Sequence, residues 1–185
     1  MKRCWLFLII IFGVLARLFE PSSAADEGDM AVDEYNVRVA IMVSFTKFID
    51  WPDDQSAAAQ NGPFIISVVG SSPIITRLKA MAKNTPMKNR PVQIHQITEE
   101  ENIPFSHIIY IAANFKRDLE RTVKNIDRHS TLLISENEEL AKYGALVYFV
   151  KYEDQIRFKI NLELLKESRL KFDANLIKLG QSLKK

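Results

Sequence analysis

Cysteine is almost missing: there is one in 185 residues, Cys4, just ahead of an apolar N-terminal run. The rest of the chain therefore has no disulfide, no thiolate nucleophile and no cysteine metal ligand. Glycine is scarce as well, with six residues, and only Gly70 falls in a strand-to-helix turn, Gly70-Ser71-Ser72-Pro73. A dinucleotide fingerprint needs three glycines at fixed spacing so that backbone can approach a pyrophosphate, and a P-loop needs a lysine, so both are excluded. No Gly-x-Ser-x-Gly elbow occurs. The three histidines, His95, His107 and His129, lie on separate segments with no two at metal-ligand spacing. These absences leave no catalytic residues, no metal and no cofactor to expect.

Long hydrophobic runs are confined to the start. Residues 1–24 carry a basic opening (Lys2, Arg3), an apolar run from Trp5 to Ala16, and small residues Ser22, Ser23 and Ala24 before the acidic Asp26-Glu27. A bilayer crossing needs about 20 apolar residues, and Arg17 interrupts this run, so the segment reads as a cleaved secretory signal. Cleavage removes Lys2, Arg3 and Arg17 against Glu20, which takes the formal charge from +2 to zero. Phosphate binding needs a basic excess on some surface, so the neutral remainder, without a dense Lys/Arg cluster, excludes nucleic acid. About 160 residues remain, enough for one domain to bury close to 70% of its unfolded surface without a disulfide. Cys4, at the beginning of the signal, is misplaced for a lipid anchor, so a soluble exported protein is expected.

Past a weakly apolar, flexible stretch at 25–33, the working domain spans 34–185. A long helix comes first, with Tyr35, Val39, Met42, Thr46 and Ile49 on one face and Val37, Ile41, Phe45 and Phe48 on another. Trp51-Pro52 ends it, because the residue before a proline disfavours helical geometry. A polar loop follows at 53–63. Apolar runs at 64–69, 91–97, 107–112 and 131–135 read as strands, and 74–82 and 115–127 as the helices between them. Ser72 and Pro73 suit the start of the first of those helices. Strands alternating with helices argue for a mainly parallel sheet. The segments 145–150 and 155–162 are joined by only Lys151-Tyr152-Glu153-Asp154, too short for a crossover, and predict an antiparallel hairpin. Helices at about 163–168 and 173–183 close the chain. The expected fold is a single three-layer α/β domain: a mixed, mainly parallel sheet flanked by helices, with a C-terminal antiparallel hairpin.

Chemistry-bearing residues are few. The carboxylate runs 99–101 and 136–139 read as solvated surface, and the histidines as structural or exposed. Lys47, in a mostly apolar helix, has two readings: a stem packed on the surface with its ammonium in water beside Asp50, or a polar contact in a groove. Trp51 is either core, with its indole N–H satisfied inside, or a recognition platform. The turn at Gly70 points backbone donors at whatever lies above the strand end, which keeps a small-molecule or anion binding module as an alternative.

A resemblance emerges from longer stretches. Tyr35, Val39-Ala40 and Phe45-Thr46-Lys47-Phe48-Ile49-Asp50-Trp51-Pro52 resemble the helix signature of the YfiR family of exported bacterial proteins. Residues 64–70, Asn89-Arg90-Pro91-Val92, 108–111, 132–135, Gly144, Arg157-Phe158-Lys159-Ile160-Asn161 and 170–179 resemble its later blocks. The resemblance implies a periplasmic α/β regulator without known catalysis. The best-studied relatives bind the periplasmic part of an inner-membrane diguanylate cyclase and hold it inactive until an outer-membrane lipoprotein sequesters them. Cyclic di-GMP output and biofilm formation would follow, and a homodimer is compatible with this role. It points to Lys47, Trp51, Arg157, Phe158 and Asn161 as partner- or ligand-binding residues. Fold maintenance is the competing account, the stronger one for Trp51, Phe158 and Asn161, whereas an outward Arg157 suits an interface anchor. Relatives often carry cysteines near the middle strands. Here His107 stands at such a position and Gly144-Ala145 replaces a double glycine, so the redox control proposed for relatives does not carry over.

Overall fold

A computed structural model describes residues 27–52, 61–98, 103–115, 119–124, 126–136 and 138–181. The expected signal at 1–24, most of the polar loop at 53–63, the 99–101 carboxylates and parts of the predicted 115–127 helix lie outside these residues. The chain forms two compact units, Met1–Ala31 and Val32–Lys185. Of the first, only the opening of the long helix is described. All the packing below belongs to the second.

Helix α1 (Glu27–Phe48) starts within the stretch that the sequence alone assigns to a flexible terminus. It stops at Phe48, one residue short of the predicted face, because β1 (Ile49–Asp50) leaves to pair with β8 (Lys171–Phe172). The Asp173 N–H closes the helix end by donating to the Phe48 carbonyl at 2.8 Å. Strand β2 (Phe64–Val69), helix α2 (Ile74–Ala82), β3 (Val92–Ile97), β4 (Ile108–Ile111), α3 (Leu119–Lys124) and β5 (Leu132–Ser135) follow in chain order. A short 3₁₀ turn, Glu138–Tyr143, precedes β6 (Val147–Tyr152), which turns back as β7 (Gln155–Ile160). Helix α4 (Leu162–Glu167) and, after β8, helix α5 (Ala174–Gln181) end the fold.

The main sheet runs β3-β2-β4-β5-β6-β7. All neighbours are parallel except β6 and β7, the predicted hairpin. The mixed, mainly parallel α/β sheet is as the strand–helix alternation requires. The parallel strands β4 and β5 are buried at every position, as near-continuous apolar runs should be when helices cover both faces. One face gathers Phe64, Ile66, Val68, Ile108, Tyr110, Leu132 and Ile134 beneath Val39, Met42 and Phe45 of α1 and Ile74 and Leu78 of α2. The other places Val69, Ile109, Ile111 and Leu133 beside Ile126 and Ala145.

Helix α1 is not buried all round. Arg38, Val39, Met42, Phe45 and Thr46 are inside, while Asn36, Ala40, Lys47 and Phe48 are exposed. Its second apolar row, Val37, Ile41, Phe45 and Phe48, is therefore fully buried only at Phe45.

Candidate functional site

The hairpin presents two unlike faces. In its register Phe149 faces Phe158 and Val147 faces Ile160, and these side chains meet the core. The Phe158 ring packs edge-on against Phe45 of α1 at 5.0 Å. A Cβ on Gly180 of α5 would stand 2.6 Å from Ile160 and 3.1 Å from Phe158, so this glycine lets α5 close on the strand. The alternating residues form the opposite face: Tyr148 beside Lys159, Val150 beside Arg157, and Tyr152 beside Gln155. All are partly or fully exposed. The Arg157 guanidinium lies 5.6 Å from the Tyr152 ring and donates to Gln155 Oε1 at 3.2 Å, which orients it without consuming its charge. Two cations among tyrosines and an aliphatic residue make a surface suited to an acidic protein partner, with arginine and tyrosine as the residue types that dominate interfaces.

The hairpin's tip is strained. Glu153 and Asp154 both have positive φ, 47° and 58°, a conformation that favours glycine or asparagine in two-residue turns. Lys151 holds the tip to α1: its Nζ lies 3.0 Å from Glu34 Oε1 and 3.4 Å from Asp154 Oδ1. The hydrogen bond to Glu34 and that carboxylate's charge raise the Lys151 pKa.

A second polar group lies inside, at the amino ends of the parallel strands. The Trp51 indole N–H donates to the His107 carbonyl at 3.0 Å, and the ring meets Phe64 edge-on at 5.3 Å. His107 stacks on Phe64 at 4.4 Å and accepts the Ile65 N–H at Nδ1 (3.0 Å), so that nitrogen carries no proton. Its Nε2 lies 2.7 Å from Arg90 Nη2. Arg90 reaches this position from a tight turn in which Lys88 and Asn89 take φ of 51° and 59°. Lys88 sits 3.0 Å from Asp50 and 5.9 Å from the Trp51 ring. Trp51 is 2% exposed and His107 4%, so this is a structural clasp rather than a platform.

At the carboxyl ends, Tyr35 donates to Glu136 Oε1 at 3.1 Å, and Glu136 Oε2 accepts the Ala113 N–H at 2.9 Å. Arg38 lies over the Tyr35 ring at 4.9 Å and pairs with Glu34 at 3.6 Å. Tyr110 is fully buried, and its hydroxyl faces Glu136 without completing a hydrogen bond. Burial, then the Glu136 charge, pushes the Tyr110 pKa well above its ordinary value. At the turn after β2 a Cβ on Gly70 would meet Asn114 Oδ1 at 3.0 Å and Phe115 at 3.2 Å, and φ is +95°. The Ser71 N–H there donates to Asn114 Oδ1 at 3.3 Å.

The five residues singled out by sequence are thus spread over the molecule. Lys47 is exposed on α1, Trp51 is in the clasp and Phe158 is packed under α1. Asn161 caps α4, its Oδ1 accepting from the N–H groups of Glu163 (3.1 Å) and Leu164 (3.2 Å). Only Arg157 belongs to the open hairpin face. Lys159, Tyr148 and Tyr152 join it there, and the alternation of strand residues, which put Lys159 beside Arg157, was the available signal. Glu136, expected with 136–139 as solvated surface, is instead half-buried because Tyr35 and the Ala113 N–H hold its carboxylate, and Arg38 was not singled out by the sequence. Arg38 lies one helical turn from Tyr35 and Met42, so its place on the buried stripe follows from spacing.

Among the described residues no three of His, Cys, Asp and Glu come together as a metal site, and no helix is long and apolar enough to cross a membrane. No curated protein matches the chain in sequence comparison. The YfiR/HmsC-like family model matches residues 35–181, taking in α1 from Tyr35, the whole main sheet and the hairpin face. The chain belongs to the YfiR/HmsC-like family, a family of periplasmic regulators.

Proposed function

We propose that the protein is exported to the periplasm, loses residues 1–24 as a signal, and binds the periplasmic part of an inner-membrane diguanylate cyclase, holding it inactive. Cyclic di-GMP level and biofilm formation would then depend on how much regulator is bound. An outer-membrane lipoprotein competing for it would release the cyclase. Binding tighter to the inactive conformation than to the active one is sufficient for such control, because a ligand shifts an equilibrium only by its differential affinity. The observation that carries this reading is the open hairpin face, where Arg157 and Lys159 stand beside Tyr148 and Tyr152, all of them at least partly exposed. Membership of a regulatory family supports the role; the charge and aromatic content of the face support the surface.

The experiment is affinity capture of the tagged, exported protein from its native envelope. A membrane cyclase should be recovered with the unaltered chain and lost with the Arg157→Ala/Lys159→Ala double variant. Deleting the gene should raise cyclic di-GMP. Recovery of no membrane signalling protein, with cyclic di-GMP unchanged on deletion, would sink the proposal.

A further inference from the structure

The main sheet has two edges, β3 and β7, each bonded to a neighbouring strand on one side only. On β7 the hairpin fixes where the main-chain groups point. Its turn has two residues, so Tyr152 and Gln155 form the closing hydrogen-bonded pair, and Arg157 and Lys159 likewise turn their N–H and C=O groups to β6. Asn161 continues the alternation, its N–H donating to the Leu146 carbonyl at 2.9 Å. Ile156, Phe158 and Ile160 therefore point their main-chain groups away from β6. These groups have no hydrogen-bond partner among the described residues, which leaves them to water or to another chain.

The side chains sort by the same alternation. Those of Ile156, Phe158 and Ile160 meet the core, where Gly180 lets α5 close on the last two. Arg157 and Lys159 project from the opposite face, partly exposed, and neither is in an ion pair among the described residues. Glu138 bears on Tyr148, which belongs to β6 and so lies one strand in from the edge. The free edge thus combines unpaired main chain with two uncompensated cations at alternate positions.

This charge pattern decides what can pair there. A second copy of β7, laid antiparallel about Phe158, would set Arg157 directly opposite Lys159 twice, and like charges placed so destabilise a strand pair. A strand with carboxylates at those two positions gains from the same geometry. The other edge, β3, has no Lys, Arg, Asp or Glu from Val92 to Ile97, so charge selects no partner for it.

We infer that β7 is a docking edge for an extended acidic segment of the protein partner, which adds to the sheet as a further antiparallel strand. Residues of that segment opposite Ile156, Phe158 and Ile160 exchange main-chain hydrogen bonds with them and carry apolar side chains toward the core side. Residues opposite Arg157 and Lys159 carry the carboxylates. The partner segment therefore alternates apolar and acidic residues over five positions. The inference deepens the regulatory reading and rests on it for the existence of a partner.

The test uses the purified exported chain and a labelled peptide, acetyl-Ser-Val-Glu-Val-Glu-Val-Ser-amide, followed by fluorescence anisotropy. Saturable binding is expected, weakened in about 0.5 M NaCl, where the screening length falls to a few ångströms. The peptide with Lys in place of both Glu should not bind. N-methylation of the central Val, whose N–H faces β7, should abolish binding, whereas N-methylation of the first Glu, whose N–H faces away, should preserve it. Arg157→Ala/Lys159→Ala should weaken binding at least about tenfold with the melting temperature retained. The methylated peptides leave the protein unaltered, so they decide the matter even where the double variant folds poorly.

Absence of saturable binding, equal binding of the Lys peptide, or unchanged binding in the double variant would overturn the assignment. Binding that survives methylation of the central Val would do so too, because side chains alone would then make the contact. A dimer of the free chain that the peptide dissociates in sedimentation would give the edge to a second copy instead. No peptide binding together with raised cyclic di-GMP on gene deletion would sink strand addition alone. Peptide binding with no cyclase captured and cyclic di-GMP unchanged would sink the regulatory reading and leave the acidic-strand edge standing.

Discussion

The two halves of the main sheet are built on different rules. From β3 to β5 the strands are parallel, and the central ones are closed in on both faces. Beyond β5 the chain turns to an antiparallel hairpin packed on one face only. In the parallel half buried polar groups are cut off from water, and clasps satisfy several of them: Trp51 on His107, Ser67 against Ser106 at 2.7 Å, and Thr131 on the Ser106 carbonyl at 3.0 Å, with the Tyr110 hydroxyl left over. In the hairpin, alternate residues are free to face outward. Polar residues near the parallel strands therefore serve the fold, and the same residue types on the hairpin are available to a partner.

Trp51→Ala tests the first half most severely. It removes a large buried ring from Phe64 and takes one of two donors from the His107 carbonyl, which keeps the Leu132 N–H, and should destabilise the protein by about 3 to 5 kcal/mol in urea unfolding. A loss below about 1 kcal/mol would mean that Trp51 is not part of the clasp but stands free for recognition. Asn161→Ala comes next, at about 1 kcal/mol, the typical cost of a lost helix cap. It should also loosen α4, visible as faster hydrogen exchange at Glu163 and Leu164.

Much of this contrast was legible in the sequence. The continuous apolar runs at 108–111 and 132–135 specify strands closed on both faces, and the four-residue link 151–154 forbids a crossover and forces the hairpin. The small β1–β8 sheet was not legible. Two residues carry no periodicity, and Ile49 continues the helical face of α1, so only the long-range pairing with Phe172 decides its conformation. The site was legible in part. Strand alternation separates Arg157 and Lys159 from Phe158, but the internal role of Trp51 depends on a carbonyl 56 residues away, beyond the reach of local pattern. The contact between the turn before β5 and the end of α4 likewise depends on segments distant in sequence being drawn together by His129, Ser130 and Arg169.

The strain in the hairpin gives a change in the opposite direction. Asp154→Gly places a residue without a Cβ at φ 58° and should stabilise the protein by about 1 kcal/mol, despite losing an exposed contact with Lys151. A destabilised variant would show that the Lys151 contact, rather than backbone strain, dominates the turn.

Tyr110→Phe probes the parallel half more gently. The hydroxyl is buried without a completed hydrogen bond, so removing it should be neutral or stabilising by up to about 1 kcal/mol at neutral pH. The pH dependence has a definite sign. Below pH 10 the phenol is protonated in both states. Above it the unfolded chain releases the proton while the folded chain, its pKa raised by burial, retains it, so stability falls with rising pH. The decline above pH 10 should be shallower in Tyr110→Phe. An equal decline would assign the alkaline loss to other groups.

Arg157→Ala should have the smallest effect on stability and the sharpest effect on the contrast. Its guanidinium contacts only partly exposed or exposed neighbours, Tyr152 and Gln155, and neither needs it for satisfaction inside the fold. The unfolding free energy should move by no more than about 0.5 kcal/mol, as for ordinary surface positions. Partner capture should nevertheless fall, and more so at low salt than at high salt, because the lost attraction is one that salt screens. A large loss of stability would transfer Arg157 to the fold-building half. Unchanged stability with unchanged capture would instead leave the open face intact as a surface while removing Arg157 as its anchor, and would shift that role to Lys159, the neighbouring cation on the same strand.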